Sequence, residues 1–157
     1  MLFSPPTRHA LRALTYIARR RGSRPVLSRE IATAESIPPA FLSKILRRLC
    51  AEGLLRSTMG PGGGYALARP ARDIQVGDVI AMFDDLNKLR ARCILRPEPC
   101  DEQEGCVLHR RWKRLLEGFT AGIASVTLEE IASGTRPRAA SQRCRRGPIG
   151  ERGRHVA

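Results

Sequence analysis

The sequence predicts a mainly α-helical chain with one small β-hairpin, an α+β fold class, and three observations carry that expectation. Apolar residues recur at helical spacing through successive segments of the first half. Two short strand-forming runs flank the glycine-rich turn Met59-Gly60-Pro61-Gly62-Gly63-Gly64. The 157 residues are 42% hydrophobic but only 4% aromatic, which suits a small core of Leu, Ile, Val and Ala built from helices.

The first helix is expected from about Thr7 to Arg21, with Leu11, Leu14, Ile17 and Ala18 at helical spacing and Thr7 as its cap. Gly22-Ser23-Arg24-Pro25 ends it. Val26-Leu27 is a short extended piece, and Ser28 caps a second helix through about Ala34. Pro38-Pro39 makes a tight connection, because proline fixes the backbone and is tolerated in a helix's first turn. The third helix runs from Pro39 to about Glu52. It places Leu42, Ile45, Leu46 and Leu49 on one face, and Gly53 suits its left-handed termination. Leu54 to Ser57 and Tyr65 to Ala68 are the hairpin strands. A helix-turn-helix followed directly by a hairpin is the order of a winged helix, and Arg69-Pro70-Ala71-Arg72 closes the module.

Asp73 to Phe83 opens a further short helix, and Arg90 to Gly105 is loop-like. A longer helix starts near Cys106, with Leu108, Trp112, Leu115, Leu116, Phe119 and Ile123 as an apolar stripe. That stripe is too wide for a lone surface helix and asks for a second copy of the chain, making this the dimerisation helix. Thr127 and Glu130 have capping-box spacing for a last helix through Ala132. The organisation is therefore a winged helix-turn-helix over 1–72 and a cysteine loop with a dimerisation helix over 73–133. A basic tail over 134–157, rich in Arg and without apolar period, is expected to be disordered.

Charge narrows the function. Lys and Arg total 28 against 15 acidic residues, a net +13 that favours a polyanionic partner such as nucleic acid. Seven of those arginines follow Gly134, yet the body remains basic without them. No run of 18 apolar residues offers a membrane span, and Met1-Leu2-Phe3-Ser4-Pro5-Pro6 lacks the features of a secretion signal, so a cytoplasmic protein is expected.

On the third helix Ala40, Ser43, Lys44 and Arg47 fall at i, i+3, i+4 and i+7, opposite the core face. Small residues for close approach, with donors for base edges and phosphates, are what a reading helix requires. Ser43 and Lys44 are candidates for base or backbone contact and Arg47 for phosphate, while Arg48 is a positioning charge. Ser28 and Arg56 extend the surface. In the wing, Gly60, Gly62 and Gly63 lack side chains to read sequence, but their backbone can approach phosphate oxygens. A nucleotide cradle would need Lys-Ser/Thr and a helix after the last glycine; here Tyr65 begins a strand.

Five cysteines occur, an odd number that argues against a disulfide framework. Cys93, Cys100 and Cys106 cluster ahead of His109. Thiolates bind zinc or iron–sulfur clusters, and these wide spacings suit a cluster better than the tight pairs of structural zinc. A metal-free thiol switch or a zinc site is the alternative. His109 is either the fourth ligand or polar surface. Cys50 reads as a small packed residue, and Cys144 has no neighbour in sequence. An enzyme using the cysteines for redox transfer is disfavoured, since no Cys-x-x-Cys lies near a βαβ pattern.

The chain resembles the IscR/NsrR family of bacterial winged-helix iron–sulfur regulators over about residues 3–133. The resemblance rests on His9-Ala10-Leu11-Arg12-Ala13-Leu14, Leu27-Ser28-Arg29-Glu30-Ile31-Ala32 and Phe41-Leu42-Ser43-Lys44-Ile45-Leu46. It is strongest at Gly60-Pro61-Gly62-Gly63-Gly64-Tyr65-Ala66-Leu67-Ala68 and at Cys93, Cys100 and Cys106-Val107-Leu108-His109. It implies a homodimer on palindromic promoter DNA, with the long helix crossing to the partner. It also implies a [2Fe–2S] or [4Fe–4S] cluster on the three cysteines that senses iron–sulfur supply, nitric oxide or redox state, usually to repress transcription. Relatives often carry Arg where this chain has Met59, and one branch has a cluster-toggled Glu where it has Ser43. Another branch takes an acidic ligand at the position of Arg8, which cannot ligate, so the resemblance favours His109. A two-fold dimer would set its reading helices about 34–36 Å apart, one turn of duplex.

Overall fold

The computed structural model describes residues 3–20, 24–85, 88 and 107–134. The predicted tail beyond Gly134, the cysteines at 93, 100, 106 and 144, and all of the predicted loop over 90–105 lie outside them.

Helix α1 spans Pro5–Arg19 and is capped by Ser4, not Thr7. The Ser4 hydroxyl accepts from the Thr7 N–H, and Pro5 and Pro6 occupy the first turn, where a missing N–H leaves nothing unbonded. Thr7 is fully buried and donates its own hydroxyl to Asp84. α2 spans Ser28–Glu35 with Leu27 in the cap position, so Ser28 is the first helical residue and caps nothing. It ends at Ser36, whose φ of 50° is left-handed. Arg12 reaches from α1 to the end of α2, where it pairs with the Glu35 carboxylate at 2.9 Å and bonds its carbonyl. α3 spans Pro39–Ala51 and stops at Gly53, whose positive φ matches the expectation.

Strand β1 (Leu55–Thr58) pairs antiparallel with β2 (Gly64–Leu67), Leu55 facing Leu67 and Thr58 facing Gly64. The extended piece at Val26 joins them through reciprocal 2.8 Å hydrogen bonds with Tyr65. Gly64 permits that approach: its φ is 150°, and a Cβ there would stand 2.5 Å from the Val26 carbonyl oxygen.

A 3₁₀ turn at Ala71–Asp73 leads into α4 (Val76–Phe83), shorter than expected at its start. Among the described residues α5 (Val107–Ala124) and α6 (Leu128–Gly134) follow. The capping box of α6 forms as the spacing predicts. The Thr127 N–H donates to the Glu130 carboxylate at 2.7 Å, and the Glu130 N–H donates back to the Thr127 hydroxyl at 3.3 Å.

One buried cluster holds these elements together. Leu14, Ile31, Leu42, Leu46, Leu49 and Leu54 from the winged half meet Ile74, Val79 and Leu128 from the half that follows. α6 packs on α1, and the Leu128 N–H bonds the Ile74 carbonyl at 2.8 Å. Each such side chain contributes about 1.5–3 kcal/mol on burial. α3 is thus seated on the same core as the second half.

Candidate DNA-reading surface and sensor site

α3 buries Leu42, Ile45, Leu46 and Leu49, so the opposite face emerges as a unit: Ala40, Ser43, Lys44 and Arg47 are all exposed. The helix carries Lys44, Arg47 and Arg48 and no acidic residue. It begins without a side-chain cap bond, and the Phe41 and Leu42 N–H groups both donate to the Pro38 carbonyl. The Ser43 hydroxyl donates to the Pro39 carbonyl at 2.9 Å, which leaves its lone pairs to accept from a base or another donor. Ser28 is exposed at the start of α2, and Arg56 on β1.

The wing projects Met59, 97% exposed. Gly60 and Gly62 adopt positive φ at its exposed tip. Gly63 behaves differently from the expectation. Its N–H already donates to the Gly60 carbonyl at 2.9 Å and the residue is buried, so it closes the turn instead of offering that N–H to phosphate. A Cβ at Gly63 would lie 2.2 Å from the Thr58 carbonyl oxygen.

Of the expected ligands, only His109 is described. It sits in the first turn of α5, half-buried, and its Nδ1 is buried with no hydrogen-bond partner. One turn on, the Trp112 Nε1 is in the same condition. A buried polar atom without a partner costs about 1–3 kcal/mol. The Nδ1 of His9 is in the same condition, and such a nitrogen takes a Lewis acid or a hydrogen-bond donor when it holds its lone pair and an acceptor when it holds the proton. Three thiols and such an imidazole are a donor set that fits a sulfide-bridged iron cluster. Among the described residues no three His, Cys, Asp or Glu side chains gather as a metal site.

The stripe on α5 divides. Leu116 is 1% exposed and belongs to this chain's own packing; it is not free to face a second copy, contrary to the expectation for the stripe. Val107, Leu108, Leu115 and Phe119 are exposed, Leu115 by 67%, while Trp112 and Ile123 are half-buried. Phe3 stacks on Phe119 with ring centroids 6.4 Å apart.

Two contacts had no sequence signal. The Asp84 carboxylate accepts from the Ser4 N–H and the Thr7 hydroxyl, nearly 80 residues away along the chain. The Arg48 guanidinium lies 5.0 Å from the centre of the Phe83 ring. No local periodicity joins such distant positions.

A model of the Rrf2 family, described as an iron-dependent transcriptional regulator, matches residues 3–134. The chain belongs to the Rrf2 family. An Rrf2-family chain of this kind is a helix-turn-helix transcriptional regulator that binds DNA, and the relatives are named as regulators, not as enzymes. A protein of Aquifex aeolicus that carries the name of an HTH-type transcriptional regulator is 35% identical over 133 residues, covering 83% of this chain and 91% of its own length. The HTH-type transcriptional regulator IscR of Photorhabdus laumondii is 32% identical over 80% of this chain and 76% of its own. Among solved structures, Staphylococcus aureus CymR is similar at TM-score 0.67 and 26% identity, covering 82% of this chain and 96% of that one. Its oxidized form is similar at TM-score 0.65. The Rrf2 match spans α3, the hairpin, the cysteine segment, α5 and α6, and ends at Gly134. No described helix is long and apolar enough to cross a membrane.

Proposed function

We propose that this Rrf2-family chain is a cytoplasmic homodimer that binds a palindromic operator and represses transcription according to the state of an iron–sulfur cluster. The winged unit over 1–72 reads DNA, the segment over 73–133 senses and dimerises, and the tail over 134–157 adds positive charge. The observation that carries the DNA part is the face of α3, where Ala40, Ser43, Lys44 and Arg47 stand exposed on a helix with no acidic residue. Ser28, Arg56 and the wing tip at Gly60 and Gly62 would place phosphates around that face, and Gly63 would hold the wing's shape.

Cys93, Cys100, Cys106 and His109 would hold the cluster, [2Fe–2S] or [4Fe–4S], as the resemblance implies. When bound, it supplies a reversible response to electrons, nitric oxide or iron–sulfur supply. The chain's own part is to present three thiolates and one imidazole. The orphaned Nδ1 supports His109 in that role over a surface residue. Dimerisation is supported by the exposed Leu108, Leu115 and Phe119, with Trp112 and Ile123 at the stripe's edge and Leu116 anchoring α5 to its own chain.

Anaerobic purification tests the reading. Visible absorption with iron and acid-labile sulfide, and different affinity for one duplex in loaded and cluster-free protein, is the expected result. Equal affinity in both states would end the sensor role. A second reading, a metal-free thiol switch, is favoured by one observation, the likeness to CymR, of which an oxidized form is among the similar structures. It predicts colourless protein whose DNA affinity changes when the thiols are oxidised.

A further inference from the structure

We infer that Arg48 is a positioning residue whose contact with Phe83 couples the cysteine segment to the DNA-reading helix. The inference rests on the sensor reading above.

The segment that carries Cys93, Cys100 and Cys106 joins the described fold at two places, the end of α4 and the start of α5. α5 packs on α4 with its last residue, Ala124, against Gly77, and the cysteine segment leaves the described fold directly after the last turn of α4. Phe83 is the last residue of α4, and its ring carries the Arg48 guanidinium at 5.0 Å from its centroid, within reach of a cation–π attraction. Arg48 belongs to α3, directly after Arg47 and one turn beyond Lys44, at the edge of the reading face. It is exposed, so its guanidinium has two alternatives, the Phe83 ring or a phosphate of bound duplex.

The next residue tightens the connection. Asp84 is fixed by the Ser4 N–H at 3.1 Å and by the buried Thr7 hydroxyl at 2.6 Å. The end of α4 is therefore pinned to α1 on one side and meets the reading helix through Phe83 on the other. A strain arriving from the cysteine segment acts on that pinned end, and the Arg48–Phe83 contact is where it reaches α3. Coupling of this kind requires an element with a different contact in each state, and a guanidinium shared between a ring and a phosphate meets that requirement.

The test is a double-mutant cycle on the ratio of DNA dissociation constants for cluster-free and cluster-loaded protein. The probe is a duplex selected from a random pool by the wild-type protein in each state. The variants are Phe83→Leu, Arg48→Met and their combination, with Phe83→Tyr as the conservative rescue. The expected result is a ratio reduced about two- to fivefold in each single variant, the range of a ~0.5–1 kcal/mol cation–π contact. The double variant should show no further reduction, Phe83→Tyr should behave as wild type, and iron content and the visible spectrum should not change. Unchanged ratios in the single variants, or reductions that multiply in the double variant, overturn the inference while leaving the sensor reading intact. Equal wild-type affinities in the two states would sink both. If Phe83→Leu does not fold, the exposed Arg48→Met decides by itself.

Discussion

Thr7 and Asp84 face each other across the fold, with the Thr7 hydroxyl donating to the Asp84 carboxylate at 2.6 Å. Thr7 is fully buried in the first turn of α1, and Asp84 follows the last residue of α4, so this bond closes the two halves of the chain on each other. Thr7→Val keeps the shape and removes the donor. It should cost about 1.5–3 kcal/mol, the range for hydrogen bonds to charged groups. Urea unfolding measures it; a change below about 0.5 kcal/mol, the scale of ordinary surface substitutions, would show the bond to be incidental.

The wing depends on Gly63. Ala at this position would drive a Cβ to 2.2 Å from the Thr58 carbonyl oxygen, and backbone cannot rotate away as a side chain can. Gly63→Ala should destabilise the hairpin by about 1–3 kcal/mol, as overpacking does, and weaken DNA binding. Thermal unfolding and a duplex-binding titration read the two effects separately, and normal binding at normal stability would contradict the structure.

Lys44 and Arg47 differ from Met59 in what they should do to DNA affinity. Each of Lys44→Ala and Arg47→Ala should weaken binding to every duplex. Each should also lower the slope of log K against log salt by about 0.9 for every phosphate that the variant no longer neutralises. Met59→Ala should leave the slope alone. A titration series in salt distinguishes a phosphate-binding side chain from one that is merely exposed.

His9 gives a pH dependence. Its pKa is lowered below the ordinary 6.5, first by burial and then by the Arg12 and Arg8 charges, and its ring meets Phe41 edge-on at 5.5 Å. The folded state therefore resists protonation more than the unfolded chain does. Stability from this group is complete above pH 6.5 and is lost as pH falls through the folded pKa. His9→Gln should flatten that fall, which unfolding midpoints collected between neutral and mildly acid pH would reveal; an unaltered pH profile would place the titrating group elsewhere.

Leu115 probes the proposed dimer because it is 67% exposed and belongs to no buried cluster among the described residues. Leu115→Glu should leave the fold intact and shift sedimentation from dimer to monomer. A variant that sediments as wild type would move the interface off α5.

Much of this was legible in the residues. The core face of α3, the Gly53 stop, the hairpin and the Thr127–Glu130 capping box all follow from local periodicity and capping chemistry, and the structure contains each of them. The cap of α1 lies three residues earlier than the apolar spacing indicates, because Pro5 and Pro6 extend the first turn back to Ser4. Gly63 looks like its neighbours in sequence, and only the closed turn distinguishes its bonded N–H from theirs. Leu116 shares a periodic stripe with Leu115, yet the folded chain buries one and exposes the other.

Local order along the chain therefore determined which segments are helices, where the hairpin turns and which face of α3 is exposed. Those properties arise from interactions within a few residues. Only the tertiary structure decided that Asp84 would receive Thr7, that Phe83 would carry Arg48, and that one core would span both halves. Such pairings join positions separated by tens of residues, and they depend on how finished elements pack, which no short-range pattern encodes.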